Sequence, residues 1–485
     1  MKKKFIANLL LLITLNLLIK PFWVFGIECK VQNIVGSGEY GFYFSLLSFS
    51  LLFNIILDLG ITNYNNRSLS QDPTLIKRHF LNIVVVRLLL AVFYGVIVFL
   101  IALLSGYDHR QMWLLTVLIL NQFLALSILY LRSNISGLQY YTTDSLLSVL
   151  DRSIMIILCS LVIWGNIMHE TFRIEWFVYV QSVSYLLAVI ILIIVVLFKS
   201  GQLSFTFDWT IAFRVIKQSL PFALLVFLMG IYTRFDAVIL ERILPDGKIQ
   251  AGIYAQSFRI LDAATMFAFL FPSLLLPMFS RILGKREDVV PLTMLSFSLI
   301  FIFAITFSLT CFAFSQPIIH LLYHEDNAYS SSVFSILILG FIPISVNYIF
   351  GTLLTANGSF KALNYTAGSL AVINILLNLV LIPSHKALGA AVSSLITQSI
   401  AAVVQVYICI KILNIKFEMT EVLKYLLFAV LSILTVTLMS KLNGEWVLRF
   451  LTTAVLVCAM AIISGVLSVK AILQFVKQQS WGFKV

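Results

Sequence analysis

Four ionisable residues sit deep inside apolar sequence between Leu220 and Arg281. Arg234 and Asp236 lie in one long apolar run, and Arg259 and Asp262 lie in the next, across the polar turn Pro245-Asp246-Gly247-Lys248. Each run is long enough to cross a bilayer. A charge near the centre of an isolated membrane helix costs about 2.5–3.5 kcal/mol on insertion scales, so these groups have to face one another or a polar path. The residue types suit two chemistries. A guanidinium pairs with a facing carboxylate or other polar group through a planar fork of donors. A carboxylate at membrane depth neutralises a cation or binds a coupling ion. Gln256, Arg259 and Asp262 follow three-residue spacing and share one helix face. Lys20, Arg87, Arg132 and Arg152 are further cations inside apolar runs, with Asp151 beside Arg152 and Asp58 at an inner end. Arg87 and Arg132 lie near the inner face, where long cationic side chains can also reach lipid headgroups. Asp58 fits a helix cap as well as a transport role, and Arg259 with Asp262 fits a bracing ion pair.

The elements that position these residues follow from composition. The 485 residues are 60% apolar and 11% charged, which excludes a soluble globular protein. Apolar blocks alternate with short polar turns, the pattern of a polytopic helical protein. Fourteen candidate spans lie near 6–27, 40–62, 80–104, 112–136, 143–165, 174–198, 219–241, 250–278, 290–315, 331–355, 362–383, 388–413, 421–440 and 446–468. The start, Met1-Lys2-Lys3-Lys4 and an apolar run, resembles a secretory signal. The bulky Lys20-Pro21-Phe22-Trp23 that follows predicts a retained first helix instead.

Loops assigned to the inside carry 19 Lys and Arg residues and those assigned outside carry 8, the bias expected of cytoplasmic loops. The net charge of +12 therefore needs no nucleic-acid partner. Five dispersed cysteines without a CxxC pair indicate neither a disulfide framework nor a thiolate metal site. Gly36-Ser37-Gly38-Glu39-Tyr40-Gly41 matches GxGxxG, but no strand precedes it. His320 and His324 lack the HExxH context of a zinc site, and no Walker A sequence is present. No cofactor is expected.

The chain also repeats itself. Tyr40-Gly41-Phe42-Tyr43 opens the second span and Ala251-Gly252-Ile253-Tyr254 the eighth, an offset of 211 residues. Tyr141-Thr142 and Tyr365-Thr366 open the fifth and eleventh, an offset of 224. Six spans per repeat keep both copies in one orientation. The expected division is an N-terminal six-helix lobe (1–199), a cytoplasmic amphipathic linker (200–218), a C-terminal six-helix lobe (219–414) and two additional helices (415–485).

Several of these stretches carry a family resemblance. Leu220-Pro221-Phe222, Tyr232-Thr233-Arg234-Phe235-Asp236, Ala251-Gly252-Ile253-Tyr254 and Leu276-Pro277 before Ser280-Arg281 resemble the seventh and eighth helices of polysaccharide flippases. These are the Wzx-type O-antigen and exopolysaccharide exporters of the multidrug/oligosaccharidyl-lipid/polysaccharide superfamily. Gly38-Glu39-Tyr40-Gly41 and Leu57-Asp58-Leu59-Gly60-Ile61 resemble that family's first two helices. Asn374 with Asn378, Ile382-Pro383 and Leu388-Gly389-Ala390-Ala391 resemble its eleventh and twelfth. The chain departs from the drug-exporting branch at Lys20, where that branch keeps an acidic cation-coupling residue.

The resemblance implies an all-α polytopic membrane protein with about 14 transmembrane helices. Two pseudo-symmetric six-helix bundles would surround a central cavity, with two C-terminal helices added. The implied cargo is an undecaprenyl-diphosphate-linked oligosaccharide moved across a bacterial inner membrane by alternating access. The substrate-binding cations would be Arg259, Arg234, Lys20, Arg87, Arg132 and Arg152. The charge partners or ion-coupling residues would be Asp262, Asp236, Asp151 and Asp58. The alternative is a cation-coupled multidrug or other amphiphile exporter of the same fold. An enzyme such as a membrane glycosyltransferase or polymerase would need a sizeable outer loop with acidic residues, and the outer loops here are short. Expected partners are the lipid-linked substrate, membrane lipids, and polysaccharide polymerase and glycosyltransferase proteins.

An even number of spans with this charge bias places both termini in the cytoplasm. Reporter fusions at Val485 should be active only as cytoplasmic reporters; a periplasmic C-terminus would contradict the fourteen-span topology.

Overall fold

A computed structural model describes residues 14–16, 18–62, 65–66, 69, 72–165, 172–200, 208–325, 327–413 and 419–467. The start of the first span, Arg67, Asp326, the linker residues 201–207, and the tail from 468 lie outside the described residues. The described residues are helical and contain no strand. In hydrocarbon every backbone N–H and C=O needs an internal partner, and a helix supplies it within one segment. Ten helices among the described residues are long and apolar enough to cross a membrane.

In chain order the α-helices are α1 (Cys29–Leu52), α2 (Ile76–Leu104), α3 (His109–Gly137), α4 (Tyr141–Leu147), α5 (Leu150–Trp164), α6 (Ile174–Ser200), α7 (Trp209–Ile243) and α8 (Gly247–Ala268). They continue as α9 (Leu270–Gly284), α10 (Val290–Ala313), α11 (Ser315–Leu322), α12 (Ala328–Leu339), α13 (Phe341–Ala356), α14 (Phe360–Leu413), α15 (Met419–Lys441) and α16 (Trp446–Ile463). Helices α2, α3 and α6 match the expected third, fourth and sixth spans, and α4 with α5 forms the fifth. The eleventh and twelfth spans are merged in α14 across a tight turn containing Pro383 and Lys386 at φ 53°. Trp209 to Gln218, expected in the linker, run on into α7 as one continuous helix.

Two sequence expectations change at the second span. No outer loop separates it from the first. The chain runs through a π-helical turn, Trp23–Glu28, into α1 and breaks only at Gly36, whose φ of 80° suits a residue without a Cβ. The expected span 40–62 also stops early. Regular helix ends at Leu52, a short 3₁₀ helix follows at Asn54–Leu57, and Leu59 and Gly60 both have positive φ. This irregular stretch brings Asp58 to Arg87 and to the backbone N–H of Thr62 at 3.3 Å. A polar partner thus replaces the missing helical turn.

The chain forms two compact units. One comprises Met1–Arg259 with Ala367–Ala390, and the other comprises Ile260–Thr366 with Ala391–Val485. In the first, α3 packs on α6 and α1 packs on α7. In the second, α10 packs against α12, α13, α15 and α16. A core there joins Ile302 and Ile305 of α10 to Phe428 and Val436 of α15 and Val457 and Ala461 of α16.

Within the first unit, Gly41 and Gly252 touch each other. A Cβ on Gly41 would fall 1.9 Å from Lys248 O and 2.4 Å from Gly252 N. A Cβ on Gly252 would fall 1.9 Å from Ser37 O. Gln32 Nε2 donates to Gly252 O at 3.0 Å beside this crossing. Because the obstacles are backbone atoms, no rotamer change relieves them. Gly41→Val and Gly252→Val should each cost about 1–3 kcal/mol or more through overpacking. Their melting midpoints in detergent should fall, whereas Gly284→Ala, with open space around its Cβ, should not lose stability. Unchanged midpoints for both valine variants would contradict the close crossing.

Candidate functional site

The first unit holds a buried polar group built from four helical segments. Glu28 closes the π-turn of the first segment, Tyr40 and Tyr43 come from α1, Gln181 from α6 and Arg259 from α8. Glu28 is 3% exposed and Arg259 8%. Arg259 Nη2 lies 3.2 Å from Glu28 Oε1, and its Nε donates to the Tyr40 hydroxyl at 3.2 Å. Gln181 Nε2 donates to the Tyr43 hydroxyl at 3.0 Å. The buried arginine is thus matched by a buried carboxylate and a hydroxyl, which its desolvation demands.

Aromatic rings complete the surroundings. The Arg259 guanidinium lies 5.4 Å from the Phe44 ring centre, and Arg234 of α7 lies 4.8 Å from that of Phe258. Phe44 and Phe258 are themselves 5.7 Å apart. The structure therefore brings Arg234 and Arg259 to opposite members of one aromatic pair. Arg152 lies over Trp23 at 5.4 Å and 3.5 Å from Asp151. Lys20 is half-buried in the helix that enters the π-turn.

The remaining sequence candidates fall elsewhere. Arg87 is turned inward rather than toward headgroups. It is 3% exposed and pairs with Asp58, Thr62 Oγ1 is 3.3 Å away, and it lies over Tyr130. Arg132 is bound to Asp144 at 2.9 Å. Asp262 is half-buried one turn beyond Arg259, at the start of the second unit.

Asp236 anchors a second polar locus in the first unit. It is 1% exposed and accepts from Tyr254 OH at 2.9 Å and from Asn378 Nδ2 at 2.6 Å. Asn378 Nδ2 also lies 3.1 Å from Asn374 Oδ1. Three hydroxyl- or amide-bearing side chains thus gather at one carboxylate, an arrangement that can hold a small cation or proton.

A polar rim lies at one set of helix ends of the same unit. Arg110 bridges Glu39 and Glu175 at 2.5 and 2.7 Å, and Gln111 donates to Glu241 at 2.8 Å. Lys386 pairs with Asp246 at 2.8 Å, and that hydrogen bond holds the Asp246 carboxyl below the usual carboxylate range. This tie is intact at neutral pH and lost only as pH falls through the lowered value.

Glu28 is the residue that sequence reasoning missed. It lies just past the expected end of the first span and read as loop. Glu28, Lys30, Gln32 and Asn33 make the stretch that follows polar, so hydropathy places no membrane helix there.

Comparison with known proteins agrees with this architecture. The chain is similar in fold to a structure described as lipid II flippase MurJ in an inward closed conformation. The TM-score is 0.63 at 16% identity, covering 95% of this chain and 97% of that one. It is also similar to a multidrug resistance MATE family transporter of the MOP superfamily in an inward-facing conformation, with a TM-score of 0.63 at 14% identity over 81% of this chain and 94% of that one. A Vibrio cholerae MATE transporter gives a TM-score of 0.59 at 13% identity over 84% and 95%. No curated protein sequence matches the chain at a significant level. Residues 5–283, more than half of the chain, match the family described as polysaccharide biosynthesis protein, and the chain is a member of that family.

Proposed function

We propose that the chain flips an undecaprenyl-diphosphate-linked oligosaccharide from the inner to the outer leaflet of a bacterial inner membrane by alternating access. The glycan is the repeat unit of an O-antigen, capsule or exopolysaccharide. Family membership supports a lipid-linked flippase or exporter as the general class. The observation that carries the finer reading is Arg259, an arginine buried among tyrosines and aromatic rings in a membrane protein. A diphosphate needs a cation with a directional fork, and a glycan needs hydroxyl partners and aromatic faces; the Arg259 surroundings contain all three. Arg234, Lys20 and Arg152 supply further positive charge, with Arg87 and Arg132 nearer the inner face. Both termini face the cytoplasm, and a polysaccharide polymerase and glycosyltransferases act with the protein. The chain itself makes and breaks no covalent bond.

The division into lobes 1–199 and 219–414 supplies the two halves that alternate. Asp236, ringed by Tyr254, Asn374 and Asn378, favours coupling to a proton or sodium ion. That same locus is what a cation-coupled multidrug exporter would require, so drug export is the second reading.

In a deletion strain complemented by variants, Arg259→Ala should abolish surface polysaccharide at normal membrane-embedded protein level. Arg259→Lys keeps the charge without the fork and should restore part of it. Asp236→Asn should also lose export if an ion bound there drives transport. Normal export by Arg259→Ala combined with Arg234→Ala would sink the cationic mechanism, and normal export by Asp236→Asn would remove the coupling role. Loss of protein with Arg259→Ala would mark the residue as a structural brace instead.

A further inference from the structure

The Arg259 guanidinium already holds an anion supplied by the chain. Its Nη2 faces Glu28 Oε1 at 3.2 Å, and its Nε donates to Tyr40 at 3.2 Å. A carboxylate presents a guanidinium with a pair of oxygens, as a phosphate group does, so both compete for the same donors. Glu28 also lies within Coulombic reach of Arg152, which sits over Trp23 at the other end of the same π-turn. A carboxylate leaving Arg259 therefore has a second cation to face and is not stranded in the protein interior. The π-turn supplies the freedom to move. Such turns are single-turn irregularities inside α-helices and are frequent at functional sites. Relaxing Trp23–Glu28 to α-helical spacing would rotate Glu28 away from α8.

We infer that Glu28 is an internal stand-in for the diphosphate of the cargo, occupying Arg259 until substrate displaces it. The inference rests on the reading of Arg259 as the cargo contact. Glu28 is then a specificity-determining residue. A neutral or weakly anionic lipid cannot compete with a carboxylate already in place, whereas a diphosphate carries more charge and more acceptor oxygens. Displacement also breaks a tie between the first helical segment and α8, so only an anionic cargo loosens these two elements. In the absence of cargo the pair keeps a buried arginine neutralised and the resting state closed to other lipids.

The test uses the full-length purified protein and undecaprenyl diphosphate without sugar as the probe, with binding followed by native mass spectrometry. Glu28→Gln removes the competing charge and should bind the probe about tenfold tighter than the native chain. Glu28→Asp shortens the arm by one methylene and should also bind more tightly, which keeps the inference testable if the amide variant does not fold. Arg259→Ala should lose binding, alone or combined with Glu28→Gln. Glutamine and aspartate variants that bind no more tightly than the native chain, while Arg259→Ala still loses binding, would overturn the role of Glu28 and leave the cargo contact standing. Native-like binding by Arg259→Ala would overturn the cargo contact itself, and the inference with it.

Discussion

A charge in the hydrocarbon core must be neutralised by the protein, because neither water nor lipid does it there. The Glu28–Arg259 pair is where this constraint acts most directly. Removing one member of a buried pair leaves an uncompensated charge, a loss of about 3–5 kcal/mol in soluble proteins. Several features of the first unit follow from meeting that demand. The π-turn sets Glu28 against Arg259, Tyr40 supplies a second acceptor for the guanidinium, and Phe44 covers one face of it. The same logic recurs at Asp58 with Arg87, at Arg132 with Asp144, and at Asp236 with its amide and hydroxyl neighbours.

Packing fixes where these groups can meet. The direct backbone contact between Gly41 and Gly252 leaves no room for a side chain on either helix. These glycines allow a close crossing of α1 and α8. Tyr40, adjacent to Gly41, and Arg259, two turns beyond Gly252, are thereby brought within hydrogen-bonding distance. The rim of Arg110, Glu39, Glu175, Asp246 and Lys386 ties the same unit at its helix ends.

Much of this was legible in the amino-acid sequence, and the reasons are specific. Apolar runs bounded by turn residues gave most spans to within a few residues, as at Ile174–Ser200 and Val290–Ala313. The motif stretches around Asp236, Asn374 and Asn378 contain residues that the structure brings together at Asp236. Backbone irregularities were harder. The π-turn at Trp23–Glu28 and the early end of α1 at Leu52 leave hydropathy almost unchanged, so Glu28 read as loop and Asp58 as the end of a straight helix. Pairing across long separations was also hidden. Arg259 with Asp262 is the natural local pairing at helical spacing, and nothing in spacing indicates Glu28, 231 residues upstream. Topology, not local pattern, determines that partner.

The proposed function turns on cationic groups, neutralised by the chain itself, selecting a diphosphate-linked glycan. Purified protein in liposomes, with a fluorescent oligosaccharide on either undecaprenyl diphosphate or undecaprenyl monophosphate, tests it directly. Leaflet location is read by a membrane-impermeant quencher. The account predicts protein-dependent movement of the diphosphate-linked glycan well above that of its monophosphate counterpart. Equal movement of both lipids, or movement of the monophosphate form alone, would contradict it.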